Sequence, residues 1–253
     1  MPTPPAPGHA LCVLAFDTST EKLALGLQAS AGAFTRVAAG GPQASATLLP
    51  QVQTLLDRAG LRYADIDAIA FGRGPGAFTG LRTSCAVAQG LGFGLDRPLL
   101  PIDSLLIVAE DARAQAGLAT GTDGDVAVAM DARMDEVYAG RYRWQAGRWQ
   151  VLQAPALYTL PALSEAWAGL SCQAVAGSAL TAFGSRLALP AAALRFERED
   201  DRAAALLRLA VRAAQAAEGI DAAAALPLYL RDRVALTTRE REAARAAAGA
   251  AGG

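Results

Sequence analysis

The sequence predicts an α/β protein built as two similar halves, each opening with an aspartate-tipped strand and a hairpin. Three observations predict it. The first hundred residues alternate as βββαβα, the pattern of a mixed sheet flanked by helices. The segment around Asp17 recurs around Asp131, 114 residues further on. The composition, 53% hydrophobic and 19% charged over 253 residues, is that of a folded chain long enough to bury a core without staples.

The elements follow in order. Residues 12–16 are an apolar run ending at Asp17, which reads as a buried strand with Thr18, Ser19 and Thr20 in the turn. Residues 23–29 and 33–39 read as two strands joined by a hairpin. The period then changes: Leu48, Leu49, Val52, Leu55, Leu56 and Ala59 share one helical face, and Gly60 stands where a C-terminal cap belongs. A strand at 67–71 runs into a glycine-rich loop, 72–82. A helix of small residues at 80–94, a strand at 98–102 and a helix at 103–117 come next. The second half starts again with a strand at 125–130, tipped by Asp131, and strands at 137–144 and 148–158. Helices at 160–168 and 178–189 flank a strand at 172–177, and 201–218 is an amphipathic helix. The expected organisation is a flexible leader (1–11), two subdomains (12–102 and 103–236) and a mobile tail (237–253).

The repeat carries the architecture. VLAFDTSTEKLALGL lies over AVAMDARMDEVYAGR, matching Asp17 to Asp131, Glu21 to Asp135, Leu23 to Val137, Leu25 to Ala139 and Gly26 to Gly140. Duplicated halves of this kind point to the actin, sugar kinase and Hsp70 type of fold, with a ligand cleft between the halves. Asp17 then admits two readings. It either faces phosphate-bound metal or closes a turn through its own backbone. At Asp131 the turn reading is favoured, because Ala132, Arg133 and Met134 replace the hydroxyl donors, so the cleft is degenerate.

Several function classes are excluded or disfavoured. No stretch of 18 apolar residues lacks a charge, which argues against a membrane span. With 23 basic and 24 acidic residues the net charge is −1, so no global pull toward nucleic acid exists. The one histidine, His9, lies in the Pro-rich leader, which disfavours a histidine-based triad, metal site or metalloprotease. Cys12, Cys85 and Cys172 show no CxxC spacing and read as thiols in a reducing, cytoplasmic setting. The loop GRGPGAFTGLR is not a Walker A motif. Gly74 and Gly76 set its turn, and Thr79 is the expected N-cap. With Asp17, Ser19 and Thr20 they form a possible vestigial nucleotide or phosphate loop.

The strings DTST and AFGRGPGAFTGLR, with LLPQVQTLL, IDSL, MDARMDEVY and PLYLRDRVA, resemble the bacterial TsaB (YeaZ) family over most of residues 12–235. That resemblance implies a non-catalytic, activating subunit for attaching threonylcarbamoyl to N6 of adenosine 37 in tRNAs. Its implied partners are a TsaD-like catalytic subunit and a TsaE-like ATPase, with tRNA met only through the complex; whether the isolated chain is a homodimer or a monomer stays open, since the same helical face could self-associate. ATP and metal are expected on the partners, and no cofactor here. The metal-binding H-x-x-x-H pair of TsaD has no counterpart in PQASATLLP, where Ala44 replaces even the single histidine of some TsaB proteins. The resemblance places the partner interface on the first two helices, at Leu48, Val52, Leu55 and Leu56 and at Ala86, Gly90 and Gly94. Which of these leucines face the core is left to tertiary structure.

Arg133, Arg141, Arg143 and Arg148, with Trp144 and Trp149 nearby, read as a solvated hairpin face rather than a tRNA contact. The alternative function is an ATP-dependent small-molecule kinase or ATPase, with Asp17 and the 72–82 loop holding nucleotide.

Overall fold

The computed structural model describes residues 11–117, 123–190 and 194–231. The expected leader, with His9, and the expected tail lie outside the described residues, apart from Leu11. The first half runs β1 (Val13–Asp17), β2 (Lys22–Ala29), β3 (Gly32–Ala39), α1 (Ala44–Ala59), β4 (Ala68–Gly74), α2 (Phe78–Leu95), β5 (Leu99–Asp103) and α3 (Ser104–Gln115). The second runs β6 (Gly124–Asp131), β7 (Glu136–Gln145), β8 (Arg148–Thr159), α4 (Leu160–Ala166), β9 (Ala174–Ala176), α5 (Ala179–Phe183), β10 (Leu194–Phe196) and α6 (Arg202–Gln215).

Two five-stranded mixed sheets result, ordered β3-β2-β1-β4-β5 and β10-β9-β6-β7-β8. The second repeats the order and strand senses of the first. β1 is antiparallel to β2 and parallel to β4. β6 is antiparallel to β7 and parallel to β9. β1 is buried throughout, as a central strand of an apolar run must be. Gly60 ends α1 in the left-handed conformation, φ 69°, as its place in the sequence predicts.

The helices complete a layered stack. One face of the first sheet packs on α1 and α2 through Phe16, Leu25, Leu55 and Phe71. Its other face packs on α6 through Val13, Ala15, Leu206 and Leu209. α3 packs on the second sheet through Val108, Val126, Val128 and Tyr142. α4 and α5 cover that sheet's far side through Leu163, Val175 and Phe183. Each sheet is therefore covered by a helix from the other half of the chain, and α3 and α6 meet between the sheets. After α6 the chain returns to the first sheet, where Leu99 and Ile220 form an antiparallel bridge.

Some elements differ from the sequence reading. The strand expected at 172–177 shrinks to Ala174–Ala176, and the helix expected at 178–189 to Ala179–Phe183 followed by a 3-10 turn at Gly184–Arg186. β10, three residues long and half exposed, has no alternation to announce it.

Candidate functional site

Asp17 ends the central strand of the first sheet, at the carboxyl end of its parallel strands, where open α/β sheets hold ligands. The side chain is buried and its oxygens are used within the chain. One oxygen accepts the Ser19 backbone N–H at 2.6 Å. The other accepts the Ser19 hydroxyl at 3.0 Å and Arg202 through Nη2 at 2.6 Å and Nε at 3.1 Å. Arg202 is itself only 5% exposed. It also donates to Glu199 at 2.5 Å, to Ser19 Oγ at 3.1 Å and to the Ser104 carbonyl at 3.4 Å. Burial pulls its pKa down, but Glu199 and Asp17 overrule this and raise it. Asp201 caps α6 by accepting the Ala204 N–H, which places Arg202 at the helix start, over Asp17.

The glycine loop closes the same turn from the other side. A Cβ at Gly80 would stand 1.8 Å from the Thr18 carbonyl oxygen, and one at Gly72 2.4 Å from Asp17 Cγ. Only glycine permits that approach. Thr18 spends its hydroxyl on the Gly80 carbonyl (2.7 Å) and the Ser84 hydroxyl (2.9 Å), and the Ala77 N–H bonds the Ser19 carbonyl at 2.8 Å. Gly74 is buried and donates to Ser104 Oγ at 3.2 Å, while Thr20 bonds the backbone of Lys22, two residues on, through its hydroxyl. Thr79 is not the N-cap: Ala77 holds that position with no side-chain cap. Asp17, Ser19, Gly74 and Gly76 thus serve close packing and internal bonds, while Thr79 is exposed. A phosphate–metal group does not fit there, because a guanidinium and a backbone loop already take the oxygens and donors it needs. Among the described residues no group of three or more His, Cys, Asp or Glu is placed to hold a metal, and no helix is long and apolar enough to cross a membrane.

Asp131, the topological counterpart, is built differently. It accepts the Arg133 N–H at 2.8 Å, and its own N–H donates to Ser178 Oγ at 3.1 Å. Arg133, Met134 and Asp135 are all left-handed, with φ of 66°, 57° and 55°. Arg231 braces this turn, donating through Nη2 to the Ala132 carbonyl at 3.0 Å and to Glu136 at 2.5 Å. Met134 projects from it, 70% exposed.

Between the sheets lies a buried carboxylate, Glu110 on α3. It accepts Arg113 Nε at 2.9 Å, Arg208 Nε at 2.6 Å and Trp149 Nε1 at 2.9 Å. Burial pushes its pKa up, but the Arg113 and Arg208 bonds and the charge of Arg212 hold it at about 2. Arg113 and Arg212 stack on Trp144 at 4.5 and 4.6 Å. The hairpin tryptophans therefore belong to the joint between α3, α6 and the second sheet, while Arg143 pairs with Asp125.

The expected interface residues separate cleanly. Leu48, Val52, Leu55 and Leu56 are wholly buried in the core under the first sheet, so they present nothing to a partner. Leu49 is the outward leucine of α1, 43% exposed. Ala86, Gly90 and Gly94 on α2 are exposed beside Phe93, which is 63% exposed. Sequence periodicity identifies a stripe but not which neighbour it meets. Arg202 and Arg231 carried no local signal, since each acts on a turn 185 or about a hundred residues away in the chain.

A family model described as TsaD, tRNA N6-adenosine threonylcarbamoyltransferase, matches residues 41–168. The chain is 41% identical over 129 residues to tRNA threonylcarbamoyladenosine biosynthesis protein TsaB of Haemophilus influenzae, covering 51% of this chain and 52% of that protein. With the Escherichia coli protein of the same name it shares 35% over 131 residues, covering 52% and 54%. The chain spans about half the length of the curated relatives it matches. The solved structure titled YeaZ from Pseudomonas aeruginosa has a TM-score of 0.75 and 37% identity, covering 87% of this chain and 100% of that one.

Proposed function

The chain belongs to the TsaB (YeaZ) family, and from that membership we propose that it is the non-catalytic, activating subunit in threonylcarbamoylation of N6 of adenosine 37 in tRNAs. The observation that carries the non-catalytic part is the internal ion pair of Arg202 with Asp17. The carboxylate at the tip of the first sheet's central strand is spent on holding the chain together. We read the two like-ordered sheets as the duplicated actin-type unit, with its cleft given over to packing. The chain then works through surface contact and coupling, and it takes no cofactor of its own.

The partner in this reading is a TsaD-like subunit, which carries the ATP-linked chemistry and the metal, with a TsaE-like ATPase joining the complex. The surface that suits it is the outer side of α1 and α2, at Leu49, Ala86, Gly90 and Phe93. Apolar side chains flank small residues there, which admits a helix at close range. The same face serves a homodimer when the partner is absent, and the setting is cytoplasmic. The test is threonylcarbamoyl transfer to tRNA reconstituted with TsaC, TsaD and TsaE proteins, with and without this chain. Product that depends on this chain is the expected result. Equal product without it sinks the reading and returns attention to the kinase alternative.

A further inference from the structure

Arg82 is the sole charged residue of the 18-residue helix α2. The helix itself gains nothing from a cation near its N-terminal end, where the macrodipole is already positive. Among the described residues Arg82 forms no ion pair; its contacts are aromatic. Its guanidinium carbon lies 3.9 Å from the Phe78 ring centroid, and its Nε donates to the Tyr229 hydroxyl at 3.1 Å. The Phe78 and Tyr229 rings are 5.1 Å apart, and the strap bearing Tyr229 is anchored by the Leu228 N–H on the Arg73 carbonyl at 2.7 Å. The guanidinium plane is thus fixed on one face and one edge. Both Nη groups remain without a partner among the described residues, on an exposed side chain.

We infer that Arg82 is a preset carboxylate receptor at one end of the α2 face, and that its occupant is an Asp or Glu on an apolar helix of the catalytic subunit. This rests on the partner reading above. The two Nη groups of an arginine match a carboxylate two-pronged, and a guanidinium already ordered by aromatic rings loses less freedom on binding. The surface continuing from Arg82 decides the kind of partner. Ala86, Gly90 and Phe93 follow at helical spacing, exposed and uncharged, and a Cβ at Gly90 or Gly94 meets nothing within 4 Å. An RNA backbone needs several cations in a row, and this face has one. A protein helix needs an apolar stripe with a polar anchor at its end, and this face has both.

The test measures the dissociation constant of the full chain with the TsaD-like subunit across a salt series. The variants are Arg82→Gln, Arg82→Lys, Tyr229→Phe and, as a probe of the face itself, Gly90→Arg. Arg82→Gln is expected to weaken binding roughly ten- to a hundredfold and to flatten its salt dependence. Arg82→Lys, which keeps charge without the fork, falls between, and Tyr229→Phe, which keeps both Nη groups, loses least. If Gly90→Arg abolishes binding while Arg82→Gln is silent, the receptor is wrong and the partner face stands. If Gly90→Arg binds as the parent does, the face reading fails and the receptor falls with it. An Arg82→Gln loss that leaves the salt slope unchanged and tracks a lowered melting temperature assigns Arg82 to strap anchoring and overturns the inference. A loss confined to tRNA binding, with partner affinity intact, makes the ligand a phosphate and overturns it equally.

Discussion

Asp17 and Asp131 hold the same place in two sheets of the same order, yet one is sealed and the other is open. Asp17 is buried under Arg202, with the glycine loop pressed against its turn. Asp131 is partly exposed, its turn is left-handed for three residues, and Arg231 grips the backbone rather than the carboxylate. The difference teaches that the same place in the same topology does not fix what a strand-tip carboxylate does. An arginine arriving from the far end of the chain can pair with a strand-tip carboxylate and make it a joint. Where no such cation reaches the carboxylate, the same turn stays at the surface and is held by its carbonyls.

The comparison breaks most sharply at Arg202. Replacing it by alanine strands Asp17 as a buried charge, and a loss of roughly 3–5 kcal/mol in unfolding free energy is expected. Asp17→Asn in the Arg202→Ala background should restore part of that loss, because it removes the stranded charge. Urea denaturation of both variants reads the effect, and a single-variant loss below 1 kcal/mol would show that the clasp is not what seals the turn.

Glu110 tests whether the two sheets also depend on a second ion-pair joint. Its folded pKa is depressed to about 2, so it releases its proton more readily folded than unfolded. Its contribution is therefore full above the ordinary carboxylate pKa of roughly 4.3 and is lost as pH falls through about 2. Glu110→Gln should lower stability at pH 7 and flatten its decline between those values. A pH–stability profile parallel to the parent's would refute this. The smallest effect belongs to the open turn. Asp131→Ala removes the bond from the Arg133 N–H and the exposed ion pair with the Arg133 guanidinium at 3.8 Å, with a cost of about 0.5–1 kcal/mol and no change at Asp17 detectable by amide exchange.

Legibility in the sequence varied with the range of the interaction that decides each feature. The strand ending at Asp17 and the helix capped by Gly60 rest on neighbours within one element. The leucines of α1 show where that stops. Their spacing correctly joins Leu48, Val52, Leu55 and Leu56 on one face, but the first sheet claims that face entirely and leaves Leu49 outside. Thr79 has the residue type of a cap, yet the tight seat of Gly80 on Thr18 starts the helix earlier, at Phe78.

By itself the sequence determined the α/β class, the order of most elements and the family, because local periodicity, turn chemistry and motif strings carry them. Tertiary structure alone decided that α3 and α6 cross to opposite sheets, that Arg202 occupies the carboxylate of Asp17, and that Tyr229 and Phe78 hold Arg82 with both Nη groups to spare among the described residues. Each of these pairs, Arg82 with its helix neighbour Phe78 apart, joins residues distant in the chain. A contact of that kind leaves no period or spacing behind, because it exists only once folding brings the two segments together.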